Sequence, residues 1–455
     1  MARLDSLETE IADALEATFC DYQGPSFSIR LWDGWQWISR NTKAEPSATL
    51  VFRTMKGLEA LIRKPSEITL GTSFLAKDID VEGDLFSVFA VAEHIFHARI
   101  GRRQRLIEAV LGLFESAGAF WKAGRIHSRG RDQVGISFHY DQPVAFYEPW
   151  LGKSMTYSCG YFSTPTGSLD SAQYRKLDLI CRKLRLQPSE HFLDIGCGWG
   201  SLLLHAASHY GVFAHGITLS REQAKLTQER IEEARQVQSC TVQLLDYRDA
   251  PKLLPSFDKI ASIGMFEHVG LTNLPKYFES VYSMLNPGGV FLNHGIASLE
   301  CSRPANTSSL GRAVVPSLRE ILRLRKPRNT SFIDKYVFPD GELVTLSQAL
   351  RAAELAGFEV RDVEDLREHY ELTLACWVDR LQKNRFDILQ RVSEQTYRTW
   401  LLYMAGSMAA FRRGDIGVYQ VLLSRPDCGA SRLPLTREDW YLGHPLSLKP
   451  AAGAG

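Results

Sequence analysis

Neither sign of charge is in surplus in this sequence. Its 455 residues hold 53 Lys and Arg against 52 Asp and Glu, a formal net charge of +1. A chain so balanced lacks the global basic field that draws a protein to nucleic acid, so no nucleic-acid partner is expected. Long apolar runs are also missing. No stretch approaches the ~18–20 uncharged apolar residues of a membrane span, and MARLDSLETE has no apolar signal-peptide core. A soluble, cytoplasmic protein is expected. Paired cysteines are absent too: Cys20, Cys159, Cys181, Cys197, Cys240, Cys301, Cys376 and Cys428 form no C-x-x-C, which argues against a zinc site or a disulfide framework. His94 and His97, three apart, have no acidic or Cys partner nearby, so a plain helix face is the simpler reading and no metal is expected. Proline is sparse at 19, and 45% of residues are hydrophobic against 23% charged, which excludes disorder over most of the length. No repeat is present, and only the tail AAGAG looks disordered. This length suits two domains or one large elaborated one.

In the first hundred residues SFSIRLW, WQWIS and ATLVFRT read as strands, with DGW as a turn between the first two. MKGLEALIRKP and LFSVFAVAEHIFHAR carry apolar residues at helical spacing. A small α+β module over 1–100 is expected. Residues 101–140 then shift in composition. From Ile100 to Arg131 the net charge is +5, and a basic linker helix or merely a solvated helix face would both account for it. After Asp170 helices and strands alternate: AQYRKLDLICRKLRL, HFLDIGC, SLLLHAASHYG, VFAHGITL, SREQAKLTQERIEEARQ, CTVQLLD, FDKIASIGM, LPKYFESVYSMLN and GVFLNHGI. That order predicts right-handed crossovers and a mostly parallel, doubly wound α/β sheet.

The first strand of that sheet runs into Asp194-Ile195-Gly196-Cys197-Gly198-Trp199-Gly200, where such folds bind ligands. Glycine lets the backbone turn tightly and approach a ligand. A dinucleotide loop fits poorly. The spacing is G-x-G-x-G, and the next strand ends in Thr218 instead of an acid that would grip a ribose. Asp194, two residues before the first glycine, matches the D-x-G-x-G loop that cradles S-adenosylmethionine in methyltransferases.

LDIGCGWG, GITLSREQ, LLDYRD and SIGMFEHVG, in this order and spacing, resemble the cyclopropane-fatty-acyl-phospholipid synthase family, which includes the mycolic acid cyclopropane synthases. YSCGYF, HGI, DKYVFPDGEL, EHYELTLACW and FRRGDIGVYQVLLSR extend the match over roughly 270 residues, from Tyr157 to Arg425. GTSFLAKDIDVEGD resembles the small lipid-associated domain that precedes the catalytic domain in long bacterial members. The resemblance implies a Rossmann-like class I methyltransferase domain with extra helices over 141–425, interrupted by an insertion at 299–328 and followed by a tail over 426–455. It implies transfer from S-adenosylmethionine to a cis double bond of a phospholipid acyl chain, giving a carbocation that a base must deprotonate for the ring to close. An alkene is a poor nucleophile, so that chemistry needs an aligned donor, excluded water and a site tolerant of positive charge.

The resemblance also implies that the base is a bound bicarbonate, held by the backbone of Cys159 and Ile296 and by Glu267, His294 and Tyr370. His and Tyr suit the task as donors to an anion, and Glu can orient its hydroxyl. Taken singly, each of these side chains would pass for a helix-terminal carboxylate or a satisfied core polar group. For the donor the resemblance assigns Tyr157, Ser158, Asp194, Gly196, Cys197, Gly198, Thr218, Gln223, Tyr247 and Arg248. Trp199 would serve packing equally well, and Cys197 reads as a small filler with nothing to activate it.

Departures accompany the match. Ser407 stands where some members carry a Cys proposed as catalytic, which favours a bicarbonate base. HGI replaces the commoner H-T-I, and Gly295 is expected to loosen the anion site slightly. Residues 301–330 carry a net charge of +6, and VVPSLREILRLR has the pattern of a helix lying on an anionic membrane surface, though a solvated basic loop has the same composition. Peripheral association with the inner face of the membrane follows from that reading, and a homodimer is compatible with it. Two other products remain open: a methyl-branched or methylene-branched lipid on the same fold, and a methylated small-molecule amine, since plant alkaloid enzymes share this catalytic domain.

Overall fold

The computed structural model describes residues 2–39, 45–99, 142–299, 332–338 and 341–441. Residues 101–140, residues 300–331 and the tail AAGAG lie outside them, and 300–331 holds all of the 299–328 insertion but Leu299. The chain divides into two compact units, Met1–Trp150 with Cys301–Gly341 and Leu374–Arg413, and Leu151–Glu300 with Glu342–Thr373 and Gly414–Gly455.

In the first unit four strands, β1 (Phe27–Arg30), β2 (Gln36–Ile38), β3 (Ala48–Phe52) and β4 (Ile79–Gly83), form a sheet in the order β2-β1-β3-β4. The DGW turn closes because Asp33 Oδ1 accepts from the Trp35 amide (3.0 Å) and Gly34 takes a φ of +96°. One sheet face buries Phe27, Ile29, Leu50 and Phe52 against Phe19, Tyr22 and Trp37. His94, half-buried at the edge of that core, stacks on Phe19 with Nε2 2.8 Å from the Thr18 carbonyl and 3.4 Å from Asp21 Oδ1, an acid that the sequence reading did not place beside it. Helices Met55–Arg63 and Leu85–Arg99 fall where periodicity places them. The structure adds helix Ala2–Thr18, helix Glu67–Leu75 and β4. The strand β4 reads IDVEG, whose acidic half hides its strand character; pairing with the edge of β3 makes it a strand. Arg398, from helix Glu394–Arg413, ties this unit together. Its Nε donates to the Phe74 carbonyl (2.8 Å), its Nη2 to the Ile79 carbonyl (3.0 Å), and the guanidinium lies over the Phe74 ring.

The second unit holds β5 (His191–Ile195), β6 (Phe213–Thr218), β7 (Cys240–Leu244), β8 (Phe257–Ile263), β9 (Leu285–Ser298), β10 (Glu359–Asp365) and β11 (Ile416–Ser424). Their order is β10-β11-β9-β8-β5-β6-β7, with β11 antiparallel to both its neighbours and the other pairs parallel. This is a doubly wound Rossmann-like sheet, as the alternation of helices and strands predicts. Strand order reverses between β5 and β8, and the crevice beyond the strand ends there is the ligand position of such sheets. One face buries Leu177, Ile180, Leu184 and Leu203, and the other Phe266, Tyr277, Phe278 and Phe358. Helix Leu169–Leu184, capped by Ser168 at its start and by Arg185 (φ +53°) at its end, places Lys176 and Lys183 two turns apart on its sheet-facing side. Both are 1% exposed. Within 426–441, Trp440 is buried against the same cluster and Asp439 pairs with Arg185 at 2.6 Å.

Candidate active site

The loop after β5 is shaped by three left-handed glycines: Gly196 (φ +78°), Gly198 (+54°) and Gly200 (+78°). They serve different ends. A Cβ on Gly200 would stand 2.5 Å from Thr227 Cγ2, so this glycine lets helix Arg221–Glu233 close on the loop. A Cβ on Gly198 would meet nothing within 4 Å, as expected where a ligand approaches the backbone. Cys197 is buried against Gly216 and its thiol is pushed up by burial, which agrees with its reading as filler. Asp194, 2% exposed, leaves Oδ1 without a hydrogen-bond partner among the described residues, and burial raises its carboxyl to about 7. Such an orphaned acceptor beside an open glycine suits a cationic or N–H-bearing ligand. Along the next strand end, the Thr218 hydroxyl donates to Gln223 Oε1 (2.8 Å), and the Ser220 hydroxyl caps helix Arg221–Glu233. Tyr247 packs edge-on against Tyr277 (5.5 Å), and Arg248 is held by a bidentate pairing with Asp246. These residues together fit S-adenosylmethionine.

Lys176 links this loop to the second set of groups. Its ammonium donates to the Ser158 hydroxyl (2.8 Å), whose backbone carbonyl accepts from Gln173 (2.8 Å). Burial lowers Lys176 to about 8, while its charge acts on Asp194, Cys159 and His294 alike. Cys159 is wholly buried, its Sγ 3.8 Å from the Leu366 carbonyl, and burial pushes its thiol far up. That burial disfavours a thiolate nucleophile there. Leu366 also accepts the amide of Tyr370 (3.0 Å), so Cys159 and the turn bearing the half-buried Tyr370 are neighbours.

Glu267 stands on a 3₁₀ turn just after β8, and His294 and Ile296 share one face of β9. The Ile296 amide donates to Glu267 Oε1 at 2.8 Å. In this structure, then, Ile296 anchors the carboxylate, where the sequence reading has its amide on the anion itself. Glu267 Oε2 and His294 Nε2 are both buried without a partner among the described residues. Burial raises Glu267 to about 7. It lowers His294 to about 3, helped by the nearby Lys176 and Lys183 charges. A neutral imidazole and a carboxyl that changes charge near neutrality, with one unmatched atom each, fit a small oxyanion carrying its own hydroxyl. Gly295 does not loosen the site. A Cβ there would lie 2.8 Å from Phe266 Cδ1, so the ring of Phe266 fills the space that a larger residue would take.

Sequence reading missed Lys176, Lys183 and Gln420. A signal was present for the lysines: spaced seven apart among Leu177, Ile180 and Leu184, they lie on the buried arc of their helix. For Gln420, inside the apolar strand GVYQVLL, no local pattern distinguishes it.

Comparison with known proteins gives a consistent picture. The family model described as mycolic acid cyclopropane synthetase matches residues 127–421. A probable fatty acid methyltransferase of Pseudomonas putida is 38% identical over 91% of this chain and 95% of its own. The cyclopropane-fatty-acyl-phospholipid synthase of Escherichia coli K12 is 36% identical over 66% of this chain and 70% of its own. Among solved structures, the cyclopropane synthase MmaA2 from Mycobacterium tuberculosis aligns with a TM-score of 0.56 at 30% identity, covering 64% of this chain and 97% of that one. Mycolic acid cyclopropane synthase CmaA1 in complex with SAH and CTAB also scores 0.56, at 32% identity over 64% of this chain and 97% of that one. With its D-x-G-x-G loop, its sheet order and this match, the chain belongs to the mycolic acid cyclopropane synthetase family of S-adenosylmethionine-dependent methyltransferases.

Proposed function

We propose that this enzyme is a cyclopropane-fatty-acyl-phospholipid synthase, acting on cis double bonds within phospholipid acyl chains. The observation that carries this reading is the pair of orphaned buried atoms, Glu267 Oε2 on the turn after β8 and His294 Nε2 on the adjoining strand β9. Methyl transfer to an amine needs no such anion site, because the amine loses its proton readily to water. Transfer to an alkene leaves a cation whose proton must be taken inside the site. A bicarbonate bound between these atoms would supply the base. His294 donates from Nε2 to hold the anion, and Glu267, anchored by the Ile296 amide, accepts the anion's hydroxyl and fixes its orientation. The buried Cys159 contributes backbone and shape, and Tyr370 a phenol from the adjoining helix. Asp194, Ser158, Thr218, Gln223, Tyr247 and Arg248 hold and orient the methyl donor, which when bound supplies the methyl group.

The Pseudomonas putida relative, matched along 91% of this chain, is a probable fatty acid methyltransferase, and that name favours a second reading in which a methyl-branched acyl chain is the product. Mass analysis of phospholipids after expression in a host without the pathway separates the two. A gain of one CH2 fits a ring, and two further hydrogens fit a saturated branch. Unchanged lipids, with purified enzyme also inactive on vesicles, would overturn both. No helix among the described residues is long and apolar enough to cross a membrane. Approach to the lipid from the cytoplasmic side is therefore proposed to use basic segments such as residues 301–330, with a net charge of +6.

A further inference from the structure

His294 can hold an anion only if the proton of its neutral ring sits on Nε2, and something must put it there. Nδ1 of the same ring lies 3.3 Å from the side-chain nitrogen of Gln420, directly across the β9–β11 pairing. The other end of that amide, Oε1, is 2.8 Å from Lys183 Nζ. Lys183 also pairs with Glu364, and Asp362 stands 3.9 Å away. Gln420 and Lys183 are each 1% exposed, and His294 is 2% exposed.

The chemistry of these groups permits one arrangement. An ammonium only donates, so it claims the amide oxygen of Gln420 and fixes which way the amide faces. The amide NH2, a donor without acceptor capacity, is thereby turned to His294. Nδ1 must accept, and the single proton of the neutral imidazole is left on Nε2. We infer that Gln420, oriented by Lys183, is a positioning residue that sets the tautomer of His294 and so makes Nε2 a donor to the catalytic anion. This inference rests on the proposed placing of His294 at that anion. The two acids beside Lys183 belong to the same device: burial lowers the lysine's pKa, and Glu364 and Asp362 oppose that shift, favouring the charged, donor-only ammonium.

Gln420→Glu tests the inference with almost no change of shape. Its carboxylate still accepts from Lys183 but now also accepts from the ring, which moves the proton to Nδ1 and leaves Nε2 bare. Nitrogen-15 NMR of histidine-labelled full-length protein, with His294 assigned by its loss in His294→Gln, is expected to show the Nε2–H tautomer in the wild type and Nδ1–H in the variant. Turnover should fall about 10²-fold with KM for S-adenosylmethionine little changed, in the range of losses seen when a ligand's supporting hydrogen bond is removed. Where Gln420→Glu does not fold, Gln420→Met serves: with no partner on Nδ1, both tautomers should appear and turnover should fall by a smaller factor. Retention of a single Nε2–H tautomer in either folded variant would overturn the inference. A tautomer change with undiminished turnover would uphold the part played by Gln420 and overturn instead the placing of His294 at the anion.

Discussion

Replacing Glu267 with Gln is the sharpest test of the anion site, because the variant keeps one interaction and alters another. Oε1 remains to accept the Ile296 amide at 2.8 Å, while the orphaned Oε2 becomes an uncharged NH2. Burial holds the wild-type carboxyl at about 7 against an ordinary value of 4.5. Because the folded value is the higher one, the folded chain retains a proton that the unfolded chain has lost between those pH values. Stability from this group is thus fully present below about pH 4.5, falls as pH rises, and levels off above about 7. The full span corresponds to about 3 kcal/mol, of which about 2.5 kcal/mol falls between pH 5 and pH 8. Urea denaturation of donor-free, bicarbonate-free protein is the assay. Relative to wild type, Glu267→Gln should gain about 2.5 kcal/mol between pH 5 and pH 8, whatever its offset at either pH. At the same time its turnover should drop about 10²-fold or more with donor affinity near normal, as for the loss of a group that assists proton transfer. Parallel stability profiles would refute the buried, unpartnered carboxylate, and equal loss of S-adenosylmethionine affinity would refute its assignment to the anion.

His294→Ala should likewise lower turnover about 10²-fold while titration calorimetry shows donor binding near normal. Rigorous bicarbonate removal should slow the enzyme and re-addition restore it; indifference would mean that a protein group is the base. Gly200→Ala should destabilise by about 2 kcal/mol or more from the clash with Thr227 and left-handed strain. Gly198→Ala, with no clash, should instead weaken donor binding at least about tenfold for a milder stability loss of about 1 kcal/mol; calorimetry and thermal melts separate the two. Arg398→Met removes the donor to the Phe74 and Ile79 carbonyls, while Asp80 keeps Arg53 as its partner, and should cost about 2 kcal/mol in urea unfolding. Deleting Ser302–Arg328 should reduce sedimentation with anionic vesicles while sparing activity on detergent-dispersed lipid; unchanged vesicle binding would discard the membrane role.

What the sequence determined by itself is local. Alternating helices and strands after Asp170 dictate the doubly wound sheet, since periodicity and crossover handedness leave few other packings. Gly196, Gly198 and Gly200 announce the donor loop because only glycine enters those backbone angles without strain. Glu267 and His294 were legible through the order of motifs along the chain, although nothing in either motif shows that each keeps a buried atom unmatched. Tertiary structure decided what depends on partners distant in sequence. The strand IDVEG became a strand only by pairing with β3, and Gly295 proved to make room for Phe266. The Ile296 amide went to Glu267, 29 residues away. Lys183, Gln420 and His294 met across 237 and 126 positions. Burial supplies the reason: a lysine or glutamine looks solvent-seeking in sequence, and only the folded core, by removing water, obliges each polar atom to find a particular partner.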